Sequence, residues 1–127
     1  MTGFEAKIRY ASKELSAKER VKFKDTTNAI QLDEATKENG LVIAPDFYVI
    51  LDVHNEHSED KDYVKYIIVD KGGNKFVTGS ESFFSAFKSI VDEMADCGEE
   101  YEVEVYRLPS KNYKGKEFLL APLYKPS

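Results

Sequence analysis

Ser80-Glu-Ser-Phe-Phe-Ser-Ala-Phe-Lys-Ser-Ile-Val-Asp-Glu-Met-Ala-Asp96 is the stretch on which the fold class turns. Phe83, Phe84, Phe87, Ile90, Val91 and Met94 fall at offsets of 0, 1, 4, 7, 8 and 11, the spacing of one broad apolar stripe on an α-helix. Ser80 offers a side-chain oxygen to the free N–H groups of the first turn, and Glu81 suits the positive end of the helix dipole. Gly98 supplies a residue that tolerates the left-handed turn closing a helix. The spacing therefore predicts a helix over Glu81 to Asp96, with its three phenylalanines as core plugs.

Upstream of this helix the pattern is β. Phe4 to Tyr10 alternates, with Phe4, Ala6, Ile8 and Tyr10 on one side and Glu5, Lys7 and Arg9 on the other. Ser12 to Lys18 reads either as a turn or as a short helix. Glu19 to Lys24 reads as a strand with Val21 and Phe23 inward, and Asn28 to Leu32 continues as strand. Asn39-Gly40 is a turn signal, and Leu41 to His54 is a long β-rich run divided at Pro45. His54 to Asp62 is a charged loop. Tyr63 to Val69 and Lys75 to Thr78 form a hairpin around Asp70-Lys71-Gly72-Gly73-Asn74. Downstream of the helix, Tyr101 to Arg107 alternates strictly and Glu117 to Tyr124 is a last strand. Strands, one amphipathic helix, then a two-strand hairpin predict a mainly β chain. The expected architecture is an OB-like small β-barrel, with the helix between its third and fourth strands and residues 1–127 forming a single domain.

Composition narrows the function classes. The 127 residues are 42% hydrophobic and 32% charged, ordinary for a globular domain. No apolar run approaches the roughly 18 residues that span a membrane, and the N-terminus has no signal-peptide core, so a cytoplasmic location is expected. The lone Cys97 allows no internal disulfide and is expected to be buried or half-buried at the helix end. No nucleophile elbow and no P-loop is present, so neither an enzyme nor a cofactor is expected. His54 and His57 are spaced as metal ligands on a helix would be, but they lie where a strand runs into a loop; a solvated loop is expected there, not a metal site.

The net charge of −5 conceals segregation. Residues 1–27 carry +3, residues 28–100 carry −10 and residues 101–127 carry +2. Such a chain is unsuited to bulk binding of duplex DNA. It does carry a basic island, Arg107-Leu-Pro-Ser-Lys-Asn-Tyr-Lys-Gly-Lys-Glu-Phe118, in the loop between the last two strands. Lysines that neutralise phosphates beside aromatic faces on which bases stack are what single-stranded nucleic acid requires. The candidate binding residues are Lys7, Arg9 and Tyr10 on the first strand, Lys22 and Lys24, and Tyr106, Arg107, Lys111, Tyr113, Lys114 and Lys116 around the loop.

Asp70-Lys-Gly-Gly-Asn-Lys-Phe-Val-Thr-Gly-Ser80, the Phe-rich helix, and Tyr101-Glu-Val-Glu-Val-Tyr-Arg-Leu-Pro-Ser-Lys-Asn-Tyr-Lys-Gly-Lys-Glu-Phe118 together resemble the small single-stranded DNA-binding proteins of bacteriophages infecting Gram-positive hosts. The resemblance covers about the C-terminal half. It implies an OB fold, DNA replication or recombination intermediates as ligand, replication or recombination proteins as partners, a homodimer, and the host cytoplasm as location. It also carries Arg107, Lys111, Tyr113, Lys114 and Lys116 over as binding-loop residues. The rival reading is an acidic interaction or inhibitor protein. Its −10 middle block, through Glu56, Glu59, Asp60 and Asp62, would dock on a basic partner.

Overall fold

A computed structural model describes residues 4–24, 29–36, 38–57, 61–95, 97–109 and 118–126. Their order is β1 (Phe4–Ala11), α1 (Ala17–Lys24), β2 (Ile30–Gln31), α2 (Leu32–Ala35), β3 (Leu41–Ile43), β4 (Pro45–Asn55), β5 (Asp62–Asp70), β6 (Lys75–Thr78), α3 (Glu81–Met94), β7 (Tyr101–Pro109) and β8 (Phe118–Pro126). The chain is mainly β, as expected. Its described strands form two sheets, ordered β1-β4-β5-β6-β2 and β3-β7-β8, that are not closed into a barrel. Two compact units result, one from Met1–Ile30 with Asp46–Gly79 and one from Gln31–Pro45 with Ser80–Ser127. The break expected at Pro45 is real and larger than a bend, because β3 and β4 belong to different sheets. Proline cannot donate to a ladder, so it suits the first position of β4.

In the first unit, Phe47, Val49, Leu51 and Val53 of β4 point to one face with Ile67 and Val69 of β5 and Val77 of β6. Leu15 and Phe23 complete that core, and Phe23 meets Phe47 edge-on at 5.6 Å between ring centroids. Phe23 is thus core, but it arrives on a helix and not on the strand expected over Glu19 to Lys24. The reason is a reciprocal cap. Ser16 Oγ accepts from Glu19 N at 3.2 Å while Glu19 Oε1 accepts from Ser16 N at 3.0 Å. This capping box satisfies two donors that a nascent helix would otherwise leave unpaired. Helical spacing turns Val21 outward, and it is 70% exposed. The expected strand from Asn28 shrinks to the two residues of β2, and Leu32 starts α2 instead.

The β5–β6 hairpin forms where expected, with Ile67 opposite Val77 and Val69 opposite Lys75. Asp70 organises its turn. One carboxylate oxygen accepts from Gly72 N and Asn74 N, the other from Asn74 Nδ2 at 3.0 Å. Gly73 adopts φ +86°, a conformation costly for any residue with a Cβ.

In the second unit Ser80 Oγ accepts from Phe83 N, and α3 buries Phe83, Phe84, Phe87 and Val91, the stripe read from its spacing. Burying each of these side chains stabilises by roughly 1.5–3 kcal/mol. The helix ends at Met94 with Ala95 as its cap, and Gly98 beyond it adopts φ +71°. Strand β7 pairs with β8 along its whole length, from Tyr101 opposite Pro126 to Pro109 opposite Phe118, and with β3 through Ile43 opposite Val103. Ile43, Val103, Val105 and Leu120 are buried. Among the described residues no helix is long and apolar enough to cross a membrane.

Candidate functional site

The candidate site lies on the first strand, where a β-bulge shapes it. Strand β1 pairs antiparallel with β4, Lys7 opposite Asp52 and Ile8 opposite Leu51, but the next pair is Tyr10 opposite Ile50. Arg9 is the extra residue. One residue inserted into a strand with a side-chain period of 2 shifts everything after it by one face. Tyr10 therefore leaves the apolar side, where simple alternation put it with Ala6 and Ile8, and joins Lys7 and Arg9 opposite. It is 50% exposed, and its ring stands 5.9 Å from that of Tyr48, which is buried. The end of β1 is pinned, since Ser12 N donates to Tyr48 O at 3.0 Å and Tyr48 N donates to Ser12 Oγ at 2.9 Å.

On the same sheet face a groove of about 430 Å³ is lined by Glu5, Lys7, Arg9, Asp52, His54 and Asp62, among others. Its charges are largely matched. Arg9 grips Asp52 with both arms of its fork, Nε donating to Oδ2 at 3.1 Å and Nη2 to Oδ1. Lys7 Nζ lies 3.5 Å from Glu5 Oε1. His54 is held from both sides, Nδ1 at 2.6 Å from Asp62 Oδ1 and Nε2 at 2.6 Å from Glu56 Oε1. With a carboxyl group against each ring nitrogen, the imidazolium is the form of His54 that donates to both. The Asp62 hydrogen bond, then that of Glu56, raises the His54 pKa above its ordinary 6.5. Glu56 is lowered in turn, by His54 first and Lys61 second. The solvated loop expected from His54 onward begins only after Asn55. The place of His54 as the tenth of eleven residues in a long strand, with acids on both flanks, was the signal of this bridge.

Other expected site residues lie elsewhere. Lys22 and Lys24 are exposed on α1, in the same unit as Lys7, Arg9 and Tyr10. Tyr106 and Arg107 are half-buried in the second unit. There Arg107 is engaged with α2 and the residue after it, Nε donating to Thr36 Oγ1 at 3.3 Å and Nη2 to Asp33 O. A guanidinium so held anchors α2 against β7. Lys111, Tyr113, Lys114 and Lys116 lie outside the described residues. Cys97 is exposed where burial was expected, its Sγ donating to Met94 O at 3.2 Å.

The site thus combines a half-exposed aromatic ring, a guanidinium beside it and a groove whose acids and bases are paired. Among the described residues no cluster of His, Cys, Asp and Glu is disposed to hold a metal ion. No protein-family model, curated protein or solved structure matches this chain.

Proposed function

We propose that this protein binds single-stranded DNA without sequence specificity. The observation that carries the reading is the bulge at Arg9, which brings Tyr10 onto the face of Lys7 and Arg9 and leaves half its ring open. An open ring accepts any base, and each stacked base contributes roughly 1–3 kcal/mol. Lys22 and Lys24, exposed on α1 of the same unit, supply cations for the phosphates, and the matched charges of the groove keep the general attraction for duplex DNA weak. Lys111, Tyr113, Lys114 and Lys116, the basic island read from the sequence, are proposed as further binding residues in their own right. The resemblance of residues 70–118 to phage single-stranded DNA-binding proteins extends the proposal. It adds an OB-like architecture, a homodimer, the host cytoplasm, and service in phage or mobile-element replication or recombination.

Filter-binding titration with single- and double-stranded oligonucleotides at two salt concentrations tests it. The expected result is tight retention of poly-dT, weakened by salt and by Lys111→Ala with Lys114→Ala. Failure to retain a dT oligomer at micromolar protein would overturn it.

A further inference from the structure

Where β1 ends and α1 begins, a second recess of about 290 Å³ opens beside Tyr10. Its walls include Arg9, Tyr10, Lys13, Glu14, Leu15 and Arg20, all in the first unit. We infer that this recess is a phosphodiester subsite, with Lys13 and Arg20 taking the phosphate of a nucleotide whose base lies on Tyr10. The inference rests on the proposed single-strand binding and names the residues that would hold one nucleotide step.

The electrostatics differ from those of the larger groove. Arg9 is committed to Asp52, which leaves Lys13 and Arg20 against one wall carboxylate, Glu14. Glu19, a nearby acid, also attracts Lys13, while the hydrogen bond from Ser16 N orients its carboxylate toward the start of α1. Lys13 is held over the Phe47 ring, its Nζ 4.8 Å from the centroid. A ring face fixes an ammonium without consuming its three N–H donors, so they stay available to an anion. Arg20 is exposed on the first turn of α1, and its planar fork matches phosphate oxygens two at a time. Geometry is fixed on both sides, by the Ser12–Tyr48 pair at the end of β1 and by the Ser16–Glu19 box at the start of α1. The recess is small for a whole drug-like ligand, which fills ~300–1,000 Å³, and suits one phosphate with part of its sugar.

The chemistry of a phosphodiester is shared with free phosphate, so the test separates them. Nuclear magnetic resonance on the full chain would follow Arg20 Nε–H and the Tyr10 ring during addition of a thymidine dinucleotide, of inorganic phosphate, and of thymidine. The dinucleotide is expected to shift both signals, phosphate only that of Arg20, and thymidine only that of Tyr10. Shifts of Arg20 with phosphate but none beyond them with the dinucleotide would overturn the subsite as a nucleotide site. In parallel, Arg20→Ala should reduce the slope of log affinity against log salt by about 0.7 for a dT oligomer, the share of one phosphate contact on a single strand. Lys71→Ala, which removes the same charge from the β5–β6 turn, should leave that slope unchanged. Equal slopes for the two variants, with wild-type binding intact, would overturn the subsite and spare the single-strand reading. Dinucleotide shifts without retention of any oligomer would do the reverse.

Discussion

Tyr10 and Tyr48 stand 5.9 Å apart, ring centroid to centroid, yet Tyr10 is 50% exposed and Tyr48 only 1%. The buried ring is a fixed backstop and the open one a platform held against it. Tyr10→Ala is therefore expected to weaken binding of a dT oligomer by about 5- to 150-fold, the equivalent of roughly 1–3 kcal/mol per lost stack. Tyr10→Phe keeps the ring face and should bind within a few-fold of wild type. Fluorescence anisotropy at fixed salt reads both. Equal losses in the two variants would mean that the hydroxyl, not the face, matters.

The His54 bridge gives the fold a pH dependence of definite sign. Its pKa is raised on folding, so the stabilisation is complete below the ordinary 6.5 and is lost as the pH rises through the higher folded value. Glu56 is shifted down, so its contribution is complete above 4.5 and is lost as the pH falls through its folded value. Between those limits the bridge joins the end of β4 to the start of β5. Urea unfolding across this range should show its midpoint falling on the alkaline side, and Asp62→Asn should flatten that limb. A proton titration of the His54 ring by magnetic resonance should show the Asp62→Asn variant titrating at lower pH than wild type. An unmoved titration would show that the contact is not made in solution.

Removing the cap of α1 should be costly out of proportion to its size. Ser16→Ala deletes the acceptor for Glu19 N and is expected to cost about 1 kcal/mol, while Ser16→Thr keeps it. Thermal unfolding distinguishes them. The loss falls where Leu15 and Phe23 seal the core of the first unit, so it should appear as lower global stability and not only as a frayed helix.

How much of this was legible in the residues depended on whether a local signal opposed the periodic one. The α3 stripe and the Asp70–Asn74 turn had no competitor, and both formed where expected. Residues 19–24 alternate convincingly, and Val21 and Phe23 look like an inward pair. The Ser16-x-x-Glu19 box overrides that pattern, because pairing two free N–H groups outweighs an alternation only six residues long. Tyr10 was misplaced for another reason. A bulge has no strong sequence signature, and Arg9 is not a glycine that would have announced one. Arg107 was legible as a cation but not as one already used, since Thr36 and Asp33 approach it only through the fold.

The bulge itself predicts an unusual tolerance. Lys7, Ile8, Tyr10 and Ala11 face Asp52, Leu51, Ile50 and Val49 in unbroken order, so Arg9 alone interrupts the ladder. Deleting Arg9 would leave Ile8 and Ala11 on the core face and Tyr10 on the open one, in a continuous strand. What is lost is the exposed pair with Asp52, and such pairs contribute about 0.2–1 kcal/mol. Deleting Ile8 removes one residue as well, but it turns Arg9 toward the apolar face between Ala6 and Ala11 and strands a charge among Leu51, Val49 and their neighbours. The Arg9 deletion should therefore fold with nearly wild-type stability, and the Ile8 deletion should not fold. Circular dichroism with urea titration of the two proteins decides the matter. Collapse of both would mean that the twist introduced by the bulge, and not register alone, holds β1 on β4.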